Sequence, residues 1–323
     1  MHATSQTIRR IRQALLAAAI GIVLAWGLFG AGMLDSFETR TFDWRSRLLA
    51  APYSDAPPIR VIMLDQASLD WAARENGLSW PWPREMYAVI LDFCRRAGAA
   101  SVAFDVLYTE PSSYGVADDQ TLGRAGEEFG RMVLPVFLGR ETGDALTWPE
   151  GAPLAVLPDL SAALGDAARA HVSLPRASFP VPELARRAAG LGNVHQDPDP
   201  DGVYRRIGLF GLFDGRVVPS LALASYLAAH PGARIEATDR GPRLDGRLLP
   251  LDGEGQALIN FHTPAGTYEI HSAAAIIRSE LLLREGQTPD IDPAAFRDAH
   301  VLFGFSAPGL FDLRPAPISG VYS

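Results

Sequence analysis

The chain has no lysine and only one cysteine among its 323 residues, and these absences exclude several functions. Without lysine, a GxxxxGK[ST] phosphate-binding loop cannot form, and no GxGxxG segment follows a predicted strand. The single cysteine, Cys94, cannot form a disulfide within the chain, and no cysteine cluster is available for structural zinc. The seven histidines show no HExxH spacing. We therefore predict neither a metal site nor a cofactor.

Positive charge is also scarce. All 29 basic residues are arginines, they are outnumbered by 37 acidic residues, and the formal net charge is −8. Proteins that bind nucleic acids usually cluster basic residues on one surface. No basic run follows the first dozen residues of this chain. We therefore predict no nucleic-acid partner.

A long apolar run lies near the N-terminus. Residues 13–34 carry no charged side chain, and about 20 apolar residues suffice to cross a membrane core of roughly 30 Å. Three arginines precede the run and acidic residues follow it. The positive-inside rule then places residues 1–12 in the cytoplasm and residues 35–323 outside. We predict a single-pass protein of the cell inner membrane, with its main domain periplasmic or extracellular.

Two alternatives to an uncleaved anchor are a cleaved signal peptide and a buried helix of a soluble protein. A cleaved signal peptide has a shorter apolar region and a cleavage site of small residues, whereas Phe29, Met33 and Leu34 stand where that site would lie. A buried helix of a soluble protein is rarely apolar on every face for about six turns. The anchor is the favoured interpretation, and cleavage is the main alternative.

The remaining sequence has the pattern of a mixed α/β domain. Asp35–Leu49 is predicted to continue the anchor as an amphipathic helix that packs on the domain. Short apolar, β-branched runs then alternate with helical periodicity, which predicts a mainly parallel sheet flanked by helices. Asp214-Gly215 and Asp245-Gly246 predict two small antiparallel hairpins, formed around 203–218 and 243–251. The predicted strands are Ile59–Leu64, 101–106, 132–138, 191–195, 257–261 and His300–Phe305, the predicted helices are 83–96, 118–129, 181–189, 220–229 and 273–283, and 139–178 is predicted to be an insertion.

Polar and aromatic side chains at two places are candidates for binding. Asp65 and Asp105 each end a predicted parallel strand, at the edge where α/β folds place ligand groups. The same position also suits an aspartate that caps the next turn or helix. The segment from Trp80 to Arg84, with sequence WPWPR, fits either an aromatic recognition surface or a rigid start for the following helix.

Two further motifs suggest chemistry but lack a required residue. Asp197, Asp199 and Asp201 alternate before Gly202 as in a calcium loop, but the twelfth position, where an EF-hand has Glu, is Gly208. A structural turn is the favoured interpretation of this loop. Ser306 follows a predicted strand as in a hydrolase elbow, but proline stands where the elbow needs glycine. An exported hydrolase built on Ser306 or the aspartate loop is therefore a minor alternative.

Several motifs, taken in order, resemble one known family. Together with the apolar run 59–64, Glu110-Pro111 and Gly320-Val321-Tyr322, they resemble the second type of CHASE domain, an extracytoplasmic sensory module of bacterial receptors, and the resemblance covers about 37–322. They are Asp65-Gln66-Ala67-Ser68-Leu69, Trp80-Pro81-Trp82-Pro83-Arg84, Gly98-Ala99-Ala100-Ser101-Val102-Ala103-Phe104-Asp105, Gly192-Asn193-Val194, Asp199-Pro200-Asp201-Gly202-Val203-Tyr204-Arg205-Arg206, Pro219-Ser220-Leu221-Ala222-Leu223, Ile259-Asn260-Phe261, Val301-Leu302-Phe303-Gly304-Phe305-Ser306 and Gly309-Leu310-Phe311-Asp312.

The resemblance implies a sensor that detects a small-molecule or envelope stimulus. It also implies transmission through membrane helices to a cytoplasmic cyclase, diguanylate cyclase or kinase, with no catalytic residue in this chain. We expect either the sensor part of a longer receptor or a separate sensor that signals through a partner, and we expect a homodimer. A non-catalytic envelope interaction protein is the main alternative. The candidate ligand-binding or signalling residues are Asp65, Trp80, Arg84, Asp105, Asp199, Asp201, Arg205, Asn260 and Asp312.

Overall fold

A computed structural model describes residues 2–31, 35–50, 58–155, 157–160, 163–261, 268–308 and 314–322. The candidate Asp312 and the end of the predicted apolar run, 32–34, lie outside the described residues. The helices are α1 (His2–Gly30), α2 (Asp35–Leu49), α3 (Gln66–Asn76), α4 (Glu85–Ala97), α5 (Val116–Phe129), α6 (Asp166–Val172), α7 (Pro182–Ala185), α8 (Leu221–Ala229) and α9 (Ala273–Arg284), with a 3-10 turn at Pro293–Phe296.

The strands are mostly short. They are β1 (Ile59–Leu64), β2 (Ser101–Phe104), β3 (Met132–Gly139), β4 (Arg176–Ser178), β5 (Gly190–Asn193), β6 (Arg206–Gly208), β7 (Phe210–Phe213), β8 (Arg216–Pro219), β9 (Ile235–Thr238), β10 (Gly241–Leu244), β11 (Arg247–Leu248), β12 (Gln256–Leu258), β13 (Glu269–Ser272), β14 (His300–Phe305), β15 (Arg314–Ala316) and β16 (Ser319–Tyr322).

The N-terminal apolar run forms α1, which stands apart from the domain. Its segment Arg9–Gly30 has a mean hydropathy of 1.9, and none of its most apolar part is buried in the protein. The helix is long and apolar enough to cross a membrane. The amphipathic helix predicted for Asp35–Leu49 forms with those bounds as α2.

The central sheet is mainly parallel, as predicted. Its order is β13-β1-β14-β2-β3, and β3 then pairs with parallel β5 along one half and with antiparallel β4 along the other. β2, β3 and β5 are buried on both faces, so their sequences are nearly continuous apolar runs. β1 and β14 have one buried face and one face that is partly exposed, where Leu302 of β14 is 39 % exposed. Val102, Phe104 and Leu134 join the large core cluster with Ile90 and Phe93 of α4, while Ala103 and Val133 contact α8 on the opposite face.

Both predicted hairpin turns are confirmed. Asp214 and Gly215 have φ values of 51° and 69°, and Asp245 and Gly246 have 49° and 77°. Positive φ at both central residues suits the right-handed twist of two paired strands. The first turn joins β7 to β8, and the second joins β10 to β11.

Three sequence predictions differ from the structure. The strand predicted at 257–261 is the short β12, which pairs antiparallel with β6 outside the central sheet and leaves Leu258 exposed. The strand predicted from residue 203 divides into β6 and β7, which pair with different partners. The helix predicted at 181–189 ends at Ala185, because the chain must extend again by Ala189, whose N–H bonds to the carbonyl of Met132.

Candidate functional site

A tight loop before β6 brings two of the candidate aspartates together. The amide of Gly202 donates to the carbonyl of Asp199 (2.8 Å), and the amide of Asp199 donates to the carbonyl of Val203 (3.0 Å). Gly202 has φ 81°, a conformation that side chains disfavour. The turn directs the carboxylates of Asp199 and Asp201 toward the arginine that follows.

Arg205 is almost fully buried, with 3 % of its side chain exposed, and three carboxylates surround it. Its Nε and Nη2 donate to the two oxygens of Asp43 on α2 at 2.7 and 2.8 Å. Its Nη1 donates to Asp199 (3.1 Å) and Asp201 (2.8 Å), and Nη2 also donates to Asp201 (2.9 Å). All five N–H groups of the guanidinium are therefore used. We call these four residues the Arg205 cluster.

The contacts within the Arg205 cluster favour the charged forms of Arg205 and Asp201. The hydrogen bonds to Asp43, above all, raise the pKa of Arg205. The hydrogen bond from Arg205 is the main reason that the pKa of Asp201 is lowered. A second arginine offsets the negative charge of the three carboxylates, because Arg206 Nη1 donates to Asp199 at 2.8 Å. Hydrogen bonds to ionised partners are about twice as strong as neutral ones, so the cluster is a firm connection.

The aspartate loop of the sequence is thus occupied by arginines. Within the described ranges, no group of three or more His, Cys, Asp or Glu side chains is placed to hold a metal ion. The third aspartate of the motif, Asp197, instead lies 3.3 Å from His195 Nε2. The carboxylates of Asp199 and Asp201 are therefore paired with arginines, and the structural-turn interpretation of the loop stays a prediction.

The C-terminal hairpin meets the same region. The Nε of Arg47 on α2 donates to the carbonyl of Pro317 (2.7 Å), between β15 and β16. The amide of Tyr204 donates to the carbonyl of Pro315 (2.9 Å), and the Arg314 guanidinium lies 5.3 Å from the centre of the Tyr204 ring. The helix after α1, the loop before β6 and the β15–β16 hairpin are therefore joined at one place.

Arg84 is also buried, but its contacts stay inside the domain. It forms an ion pair with Asp119, donates to the carbonyl of Glu110 and lies 4.8 Å from the centre of the Tyr108 ring. Asp118 accepts from the amides of Arg84 (2.7 Å) and Glu85 (2.9 Å) at the start of α4. These contacts hold the 108–119 segment against α4. Burial is the main reason that the pKa of Tyr108 is raised.

The other candidates are spread over two regions. Asp65 caps α3, accepting from the amide of Ser68 (2.8 Å) and from Ser272 Oγ (2.9 Å). Asp105 is exposed just after β2, and the Trp80 ring stands edge-on to Phe305 with centroids 5.1 Å apart. These three lie at the carboxyl edge of the sheet.

Asn260 lies near the Arg205 cluster and away from that edge. Its side chain is exposed, and the amide of its neighbour Ile259 donates to the carbonyl of Arg205 at 2.8 Å. The structure therefore groups Asn260 with Asp199, Asp201 and Arg205. Asp43, which completes the cluster, was missed by the sequence analysis because its partner lies 162 residues away.

A cavity of about 940 Å³ was also missed. It lies between the β7–β8 hairpin, residues 173–175 and residues 154, 155 and 157–159, and Arg140, Arg169 and Arg216 line it. Most of these residues fall in the segment predicted only as an insertion. The three arginines are far apart in the sequence, so no local pattern indicates that they line one cavity.

Comparison with known proteins gives one match. The family model described as the CHASE2 domain matches residues 17–323, nearly the whole chain. No curated protein and no solved structure matches the chain.

Proposed function

The chain belongs to the CHASE2 family of extracellular sensory domains, and on that premise we propose that it detects a stimulus outside the cytoplasm and transmits it across the membrane. The domain family is sensory and non-catalytic. The output is a cytoplasmic cyclase, diguanylate cyclase or kinase that receives the signal from the membrane helices. Residues 1–12 lie in the cytoplasm, and α1 crosses the inner membrane.

The Arg205 cluster is the observation that carries this proposal. A stimulus can shift an equilibrium only if it binds two states of the protein with different affinities. The two states must also differ at the membrane for the signal to cross. Asp43 lies on the helix that follows α1, and its two hydrogen bonds to Arg205 link that helix to the sensory domain. A domain movement that reorients Arg205 therefore pulls on α2.

A second face of α2 supports a homodimer as the signalling unit. Phe37, Thr41, Trp44 and Leu48 follow the alternating four- and three-residue spacing of a coiled-coil seam. The side chains of Phe37, Trp44 and Leu48 are 63–67 % exposed although they are apolar. Asp43 and Arg47, which contact the domain, lie on a different face of the helix. A second copy of α2 would cover the apolar stripe.

Cysteine cross-linking of the full chain in membranes tests both parts of the proposal. The native Cys94 is buried and does not interfere. We expect Trp44→Cys to form a disulfide-linked dimer under mild oxidation, and Glu38→Cys, exposed on another face, to form at least threefold less. We expect Asp43→Asn to change the Trp44→Cys cross-linking rate at least threefold, because α2 is released from the domain.

Two results would contradict the proposal. Equal cross-linking at Trp44→Cys and Glu38→Cys would argue against the coiled-coil seam. An unchanged rate after Asp43→Asn would argue against transmission through the cluster and favour an envelope interaction protein. Membrane orientation is tested separately, by inserting alkaline phosphatase after Gly246 at the β10–β11 turn, where it should be active only outside the cytoplasm.

A further inference from the structure

The cavity has an apolar floor. Leu174, Phe213 and Val217 line it and are buried, and Leu154 and Leu157 are half-buried at its wall. The floor is held in place because the amide of Leu174 donates to the carbonyl of Leu212 at 2.9 Å. The volume of the cavity, about 940 Å³, lies within the range of roughly 300–1,000 Å³ that small-molecule sites occupy. The cavity can therefore shelter the apolar body of a small ligand.

The rim of the cavity is cationic. Arg140, Arg169 and Arg216 line it with exposed side chains, against two acidic residues, Asp159 and Asp214. This local excess of positive charge contrasts with the net charge of −8 for the whole chain. An anion would therefore be attracted to this part of a surface that otherwise repels it.

The three arginines differ in how far their donors are used. Within the part of the chain that the structure describes, the Arg169 guanidinium has no hydrogen-bond or ion-pair partner, although it lines the cavity. Arg140 donates from Nη2 to the carbonyl of His171 (2.6 Å) and from Nη1 to that of Ala170 (3.4 Å), which fixes the side chain and leaves its remaining N–H groups for a ligand. Arg216 Nε lies 3.6 Å from Asp214, whose Oδ2 also accepts from the amide of Trp148.

We propose that this cavity binds a small organic carboxylate with an apolar body, and that it is the stimulus site of the sensor. The inference rests on the proposed sensory function. A carboxylate matches the planar donor fork of a guanidinium, with Arg169 as its main partner. The apolar body contacts Leu174, Phe213 and Val217. A bare inorganic anion lacks that contact, and a neutral analogue leaves the arginines unpaired.

The test measures binding of 2-naphthoate to the full chain in lipid nanodiscs by isothermal titration calorimetry, with empty nanodiscs subtracted. We expect a Kd below 1 mM for 2-naphthoate and at least tenfold weaker binding for 2-naphthamide. Arg169→Ala should weaken 2-naphthoate binding about tenfold. Arg74→Ala removes an exposed arginine of α3, outside the cavity, and should leave binding unchanged.

Three results would overturn the inference. They are no measurable binding of 2-naphthoate, binding that Arg169→Ala and Arg74→Ala affect equally, and binding of inorganic phosphate as tight as that of 2-naphthoate. Circular dichroism of each variant confirms folding, and Arg216→Ala provides a second cavity variant if Arg169→Ala does not fold.

The binding and cross-linking experiments together separate this inference from the proposed function. Binding that depends on Arg169, combined with Trp44→Cys cross-linking that Asp43→Asn does not change, would support the cavity and contradict transmission. Absent binding, combined with cross-linking that depends on Asp43, would overturn the cavity and leave transmission supported.

Discussion

Arg84 and Arg205 are both buried arginines, yet they connect different parts of the molecule. Arg84 pairs with Asp119 inside the domain, where both partners are almost fully buried. Arg205 reaches outward to Asp43 on α2, and it shares two further carboxylates from its own loop. The first contact fixes the fold, while the second joins the fold to the membrane-proximal helix. Burial alone therefore does not show which element a buried arginine connects to the domain. The position of its carboxylate partner does.

The largest expected effect follows from removing the internal arginine. Arg84→Met leaves the carboxylate of Asp119, which is 1 % exposed, without its cation. Breaking a buried ion pair from one side usually costs about 3–5 kcal/mol of unfolding free energy. Urea unfolding should show this loss, with the cross-linking at Trp44→Cys unchanged in the molecules that remain folded. A loss below about 1 kcal/mol would show that Asp119 finds another partner.

The corresponding change in the Arg205 cluster should cost less stability than Arg84→Met, but it should loosen α2 more. Asp43→Asn removes a charge that is partly exposed, and Arg205 keeps its bonds to Asp199 and Asp201. We expect about 1–2 kcal/mol of destabilisation, as for a lost hydrogen bond to a charged group. Hydrogen exchange in α2 should increase at the same time, while exchange in α4 stays as in the wild type. Equal increases in both helices would mean that the two arginines do not differ in role.

Acidification should weaken the domain through two histidines, the buried His271 and the half-buried His300. Burial is the main reason that the pKa values of His271 and His300 are lowered from 6.5. The unfolded chain therefore binds protons that the folded chain does not, and stability falls as the pH drops below about 6.5. His300→Asn should flatten the stability profile between pH 7.5 and 5, measured by urea unfolding. An unchanged slope would place the pH dependence elsewhere.

The smallest effect is expected for the contact between α2 and the β15–β16 hairpin. Arg47→Ala removes one hydrogen bond to the carbonyl of Pro317 from an exposed side chain, so stability should change by no more than about 0.5 kcal/mol. Thermal unfolding measures this effect. A loss as large as that of Asp43→Asn would make Arg47 a main connection between α2 and the β15–β16 hairpin.

The central sheet was predictable because its signals are local. The bounds of Ile59–Leu64 and His300–Phe305 match β1 and β14, since short, mostly apolar runs of this length indicate strands with a buried face. The Asp-Gly turns were predictable for a similar reason, because their residue types favour positive φ. The strand β13, with sequence EIHS, has no such run, and the sequence analysis missed it.

The candidate site was only half predictable. The loop carrying Asp199, Asp201 and Arg205 is a compact motif, and its residues do meet. Asp43 carries no signal that separates it from the other charged residues of α2. The cavity arginines are scattered between residues 140 and 216 and converge only through tertiary structure. Long-range partners of this kind cannot be inferred from spacing.

The position of β14 has a consequence for how the protein is made. It pairs with β1 on one side and β2 on the other, although it follows β2 by about 200 residues. The sheet therefore lacks its middle strand until the chain has been synthesised as far as residue 305 and has left the cytoplasm. Until then, β1 and β2 expose unpaired backbone edges to the outside. Assembly outside the cytoplasm must await this strand, and until it arrives the incomplete sheet can pair with other extended chains.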